Sequence, residues 1–202
     1  MILFLNGCSS AGKSALARAL QYSWEGPSLT LGVDTFLRMM PPHYVGHGDQ
    51  SKEGIYFTSL SEEVGPKIKI ENGPFGKKLF STVPNVIKLL AQEGYDLIID
   101  EVLVGETDLK HYITALQNFS VYFVGVTCDL KIMEEREILR GNRMQGLARG
   151  QVDDIQSLSS FYDVMVDTTR TSSFECAQKI LEYVRKNAHP SGFKQLEKIF
   201  KI

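Results

Sequence analysis

Gly7-Cys8-Ser9-Ser10-Ala11-Gly12-Lys13-Ser14, GCSSAGKS in one-letter code, decides how the rest of the chain is read. It follows the apolar run at residues 1–5 and precedes a helical pattern at 15–20, which is the strand–loop–helix setting that a phosphate-binding loop requires. Glycines let the backbone curl so that its N–H groups face a phosphate, and the next helix adds the positive end of its dipole. In such a loop Gly7, Cys8, Ser9, Ser10, Ala11 and Gly12 form the cradle. Lys13 reaches the β- and γ-phosphates, and the Ser14 hydroxyl reaches a magnesium ion that bridges them. A magnesium nucleotide is the ligand so implied. Position 8 calls for a small residue and no thiol chemistry, so Cys8 is read as packing.

Working outward, short apolar runs at 2–5, 29–33, 97–99, 121–126 and 164–166 have the Val, Ile, Leu and Phe content of buried parallel strands. Helical periodicity separates most of them, notably at 80–92, which stops at Gly94, and at 174–184. The alternation predicts a three-layer α/β/α sandwich around a five-stranded parallel sheet, with its ligand at the carboxyl ends of the strands. Residues 1–186 would form this domain and 187–202, after the His189-Pro190-Ser191-Gly192 break, a basic amphipathic appendage. Residues 41–78 interrupt the alternation with prolines and glycines, as lids and binding loops do, and could contain a hairpin of 54–60 with 67–71. The same prolines and glycines deny His43, His47 and Asp49 the helical spacing of a metal cluster.

Carboxylates close two of the strand candidates. Asp100 ends the run 95–99 beside the phosphate loop, where it can hold magnesium through water, and Glu101 follows it; either could instead cap a turn. Asp34 ends the run 29–33 and would face the same crevice from the acceptor side, as a general base, as the N-cap of a short helix over 35–40, or as both. Arg136, Arg140 and Arg143 stand at i, i+4 and i+7, so a helix starting near Leu130 would stack three guanidinium groups whose repulsion an anion relieves. Gly141, Gly146 and Gly150 soften that stretch, making 130–150 a candidate arginine lid, although Glu134, Glu135 and Glu137 also fit a salt-bridged surface helix. Asp167-Thr168-Thr169 could border an adenine or cap the helix near Ser172.

The chain has 202 residues, 43% hydrophobic and 23% charged, with a formal net charge of −2. That suits one well-buried core and supplies no general attraction for nucleic acid or anionic membrane. Three widely spaced cysteines fit reduced thiols in the cytoplasm, and the first apolar run is too short for a signal peptide or a membrane span.

Taken together, GCSSAGKS at Gly7, GVDTF at Gly32, IIDEVL at Ile98, EREILRGNR at Glu135 and VDTT at Val166 resemble chloramphenicol phosphotransferase and its relatives over about residues 1–184. The resemblance implies transfer of the ATP γ-phosphoryl group to a hydroxyl of a small molecule, with ATP and Mg2+ as cofactors and antibiotic modification among the possible roles. It implies Asp34 as acceptor-side base, Lys13 and Ser14 as nucleotide and magnesium residues, Asp100 as the acidic strand end, and Arg136, Arg140 and Arg143 as the lid. The chain departs from the family at residues 151–163, where QVDDIQSLSSFYD lacks the family's usual histidine. Two other classes fit the nucleotide half. One is a nucleotide-binding regulatory module without turnover. The other is a kinase of phosphorylated acceptors or nucleic acid, whose extra phosphates Lys52, Lys67, Lys69, Lys77 and Lys78 could meet.

Overall fold

The computed structural model describes residues 1–60, 65–141 and 144–202. Five strands form the main sheet: β1 (Ile2–Asn6), β2 (Ser28–Gly32), β6 (Asp96–Glu101), β7 (Val121–Thr127) and β8 (Val164–Asp167). All pair in parallel, in the order β2-β6-β1-β7-β8. The chain leaves the central strand β1 first towards β2 and later towards β7, so the switch in winding direction falls at its carboxyl end. There the phosphate-loop sequence begins.

Alternation along each strand builds two cores. Leu3, Leu5, Ile98, Val124 and Val126 face α1 (Lys13–Ser23) and α7 (Ser173–Lys186), while Ile2, Phe4, Leu97, Ile99 and Phe123 face α3 (Pro74–Gln92) and α4 (Glu106–Leu116). Helix α8 (Gly192–Phe200) buries Phe193 and Leu196 in the second core, so the tail packs on the sheet.

Within 41–78 the described residues carry regular structure. The expected hairpin is present as β4 (Ile55–Leu60) antiparallel to β5 (Lys67–Asn72), with β3 (Val45–Gly46) added in parallel to β4. Helix α3 begins inside this segment, six residues ahead of the periodic pattern, because Pro74 at its first turn presets the backbone and lacks only an N–H that would be unpaired there. It runs through Pro84 and stops at Gly94, whose φ of 86° lies in the left-handed region.

Two helices were not foreseen. Gly105 opens α4, whose first turn carries Glu106 and Asp108 against the helix dipole. The expected lid helix, α5 (Leu130–Arg140), is capped by the Asp129 carboxylate on the Lys131 N–H at 2.9 Å, and α6 (Leu147–Ser157) follows it. The glycines there have roles other than softening one long helix. Gly141 (φ 63°) ends α5, Gly146 (φ 92°) starts α6, and a side chain on Gly150 would strike the Ile68 carbonyl oxygen. Of the three arginines expected on one stripe, Arg136 and Arg140 lie on α5, and Arg143 lies outside the described residues.

Candidate active site

The loop after β1 is tightly tied down. Gly7 passes so close to β7 that a Cβ would strike the Val126 carbonyl oxygen. Ser10 (φ 60°) and Gly12 (φ 88°) turn the chain through left-handed conformations, curling it over the amino end of α1. The Thr168 hydroxyl donates to the Ala11 carbonyl at 2.6 Å, binding the loop to the end of β8. Ser9 and Ala11 spend their N–H groups on the Gln151 side chain and the Cys8 carbonyl. Those of Ser10, Gly12, Lys13 and Ser14 have no acceptor among the described residues. Such a row of donors, with a helix dipole behind it, suits phosphate oxygens.

Lys13 is 7% exposed and donates to the Cys8 carbonyl at 2.9 Å, with Asp100 Oδ1 3.8 Å from its Nζ. Burial pulls its ammonium below the usual lysine range, while Asp100 acts in the opposite direction. Ser14 Oγ donates to Asp100 Oδ2 at 2.6 Å, which brings together the two residues expected to serve a magnesium ion. Cys8 is buried and its thiol is pushed up to about 11 by desolvation, so it is a packing group and a poor nucleophile.

Two recesses flank the loop. One, about 300 Å³, is bordered by Ser9, Ser10, Lys13, Asp34, Asp100 and Gln151 and runs out to Asn72, Phe80 and Tyr112. The other lies on the far side, between Gly12, Ala15, Arg136, Thr168 and Ser172. Arg140 borders both. Arg136 is anchored between them: its guanidinium donates to the Thr168 carbonyl at 2.8 Å and to the Ser10 carbonyl at 3.3 Å. Ser172, with Glu175 in a capping box, caps α7, so Thr168 is occupied with the loop and the capping expected of 167–169 falls to another residue.

Asp34 sits in the first turn of α2 (Val33–Leu37), whose N-cap is Gly32. It is therefore not the cap that the sequence allowed. Lys13 feels its charge, and both border the recess of about 300 Å³. Glu101 faces away from Asp100, as parity along a strand requires, and its Oε1 accepts the Tyr112 hydroxyl at 2.7 Å. It is 4% exposed, and burial pushes its carboxyl up to about 8.

Several expected groups lie elsewhere. Lys67 pairs with Asp153 at 3.7 Å and Lys69 with Glu71 at 3.1 Å, and none of the five lysines considered for extra phosphates borders the recess. His43 packs on Tyr44 and His47 on Phe57. Glu137 is buried on α5 and accepts the N–H groups of Gly146 and Ala148, each at 2.8 Å, while Glu134 pairs with Arg149. Both acids thus contact α6. Gln151 escaped notice because nothing in the sequence marked 147–157 as a helix that returns to the loop.

Comparison with known proteins identifies the family and the fold. A family model for chloramphenicol phosphotransferase-like protein matches residues 1–185. A Mycobacterium tuberculosis protein named "Putative O-phosphotransferase" is 28% identical over 200 residues, spanning 98% of this chain and 88% of its own length. The APS kinase CysC of the same organism, solved with AMPPNP and APS, has a TM-score of 0.58 at 15% identity, over 91% of this chain and 96% of that one. Shikimate kinase from Acinetobacter baumannii, solved with shikimate, gives 0.57 at 16% identity over 92% and 93%. A tunicamycin resistance protein from Deinococcus radiodurans gives 0.58 at 16% identity over 91% and 94%. The fold is that of the P-loop kinases.

Proposed function

The chain belongs to the chloramphenicol phosphotransferase-like family, and from that premise we propose that it moves the γ-phosphoryl group of ATP to a hydroxyl of a small molecule. One observation carries the reading. Asp34 and Lys13 border one recess, Arg136 borders the other, and Arg140 reaches both across the phosphate loop. The nucleotide then lies on the Thr168 side and the acceptor on the Asp34 side. The acceptor oxygen bonds to the γ-phosphorus as the bond to the β,γ-bridging oxygen breaks, and the hydroxyl proton passes to the Asp34 carboxylate.

Lys13, buried yet held beside Asp100, offsets charge on the departing phosphates, and Arg140 offsets charge on the group in transit. The loop donors at Gly12, Lys13 and Ser14 fix the phosphates without rearrangement. Ser14 and Asp100, already joined at 2.6 Å, form a hard oxygen pair of the kind magnesium accepts. Bound there, magnesium would neutralise phosphate oxygens. The recess between Leu103, Phe80 and Asn72 offers apolar walls with a few polar groups, as small-molecule sites do. A second reading, an acceptor that is itself anionic, is favoured by Arg18 and Arg38, which are exposed at the rim of this recess.

The test is mass-spectrometric detection of phosphoryl transfer from magnesium ATP into a panel of chloramphenicol, aminocyclitols, nucleosides, phosphorylated sugars and a metabolite extract. A new phosphoester that both Lys13→Ala and Asp34→Asn abolish supports the reading and identifies the acceptor class. Nucleotide binding with no transfer into any fraction would sink it in favour of a regulatory module.

A further inference from the structure

Gln151 occupies a position in this site that no phosphate-loop motif assigns. It lies on α6, is 5% exposed, and borders the acceptor-side recess with Lys13, Ser10, Asp100 and Arg140. Its Oε1 accepts the Ser9 N–H at 2.7 Å. A backbone N–H can be met only by the oxygen of an amide, so this contact settles which end of the side chain is which. The Nε2 group, with two N–H donors, is directed away from Ser9 and has no acceptor among the described residues. The Ser10 hydroxyl, bordering the same recess, is buried and also lacks a partner.

The side chain is held for a purpose beyond local packing. Glu137 caps the start of α6 through Gly146 and Ala148, the Gly146 carbonyl accepts the Ile68 N–H at 3.0 Å, and Gly150 packs against the Ile68 carbonyl. Lid helix, hairpin and phosphate loop therefore converge on one helix turn, and a donor fixed in that way needs no reorganisation when charge arrives. Ser9 and Ser10 border the acceptor-side recess and are absent from the nucleoside-side one, so Gln151 faces the path of the phosphoryl group. Resting on the kinase reading above, we propose that Gln151 is a catalytic residue whose Nε2 donates to an oxygen of the γ-phosphoryl group, with its Oε1 kept in place by Ser9.

A contact made only to the γ-phosphoryl group separates two nucleotides. Dissociation constants for ADP and for AMPPNP, each with magnesium, are measured for the wild type, Gln151→Glu and Gln151→Met, with thermal melts to verify folding. Gln151→Glu keeps an acceptor for the Ser9 N–H and removes the donor, while Gln151→Met keeps the volume and removes both. The expected result is a loss of AMPPNP affinity of about 10- to 100-fold in both variants, the range of a charge-assisted hydrogen bond, with ADP affinity within about 2-fold of wild type. Equal weakening of both nucleotides would show that Gln151 only braces the loop, and an unchanged ratio would overturn the donor role while leaving the kinase reading intact. A wild type that binds neither nucleotide would overturn both.

Discussion

Asp100 and Glu101 show how two neighbouring carboxylates acquire unlike chemistry. Strand parity sends Asp100 to the face of Ile98, where it meets Lys13 and Ser14, and Glu101 to the face of Ile99, under α4. Glu101 keeps its proton up to about pH 8, against 4.5 for an ordinary glutamate, chiefly because it is desolvated. Between those values the unfolded chain sheds a proton that the native chain retains, so stability falls as pH rises through the window. Glu101→Gln preserves an acceptor for Tyr112 and removes the ionisation. The variant is expected to match wild type near pH 4 and to exceed it by roughly 2–4 kcal/mol near pH 8, read from urea unfolding in chelator-treated buffer. A constant difference across this range would dismiss the buried acid as its cause. The residues of GCSSAGKS and the two acids were legible in the chain because a motif or a strand end marks them. Gln151 and the Tyr112 partner were not, because each arrives on a helix with no spacing signal pointing to the loop.

At the scale of elements, α5 and α6 act as one braced corner. The Glu137 carboxylate satisfies two N–H groups that the start of α6 would otherwise leave unpaired, and it does so from inside the protein. Glu137→Ala is expected to cost about 2–4 kcal/mol of stability and to speed hydrogen exchange at Gly146 and Ala148 more than in the main sheet. Uniform acceleration over the whole chain would instead mean that the corner unfolds only with everything else. The sequence marked this stretch as an arginine-bearing lid weakened by glycines. It could not show that Gly146 and Gly150 sit against Pro66 and Ile68, because such close approaches depend on a hairpin folded far away in the chain. The three central strands of the main sheet, by contrast, announced themselves through continuous apolar runs, since both faces of each are buried.

For the whole molecule, the reading predicts that ligand and fold are thermodynamically linked. Magnesium ADP at about 100 times its dissociation constant adds about 2.7 kcal/mol to the native state, an increase of roughly 5–10 °C in melting temperature for a chain of this size. Lys13→Ala should melt close to wild type without nucleotide and lose most of that increase with it; an undiminished shift would place the nucleotide elsewhere. None of the described helices is long and apolar enough to cross a membrane. The order of the sheet has a consequence during synthesis. The central strand, Ile2–Asn6, pairs with Asp96–Glu101 and Val121–Thr127, so it leaves the ribosome roughly a hundred residues ahead of its first neighbour. At about 5–20 residues per second that wait is roughly 5–20 s. Throughout it, the apolar segment Ile-Leu-Phe-Leu has neither of its partner strands to cover it, and soluble yield is expected to rise with chaperone supply and lower growth temperature.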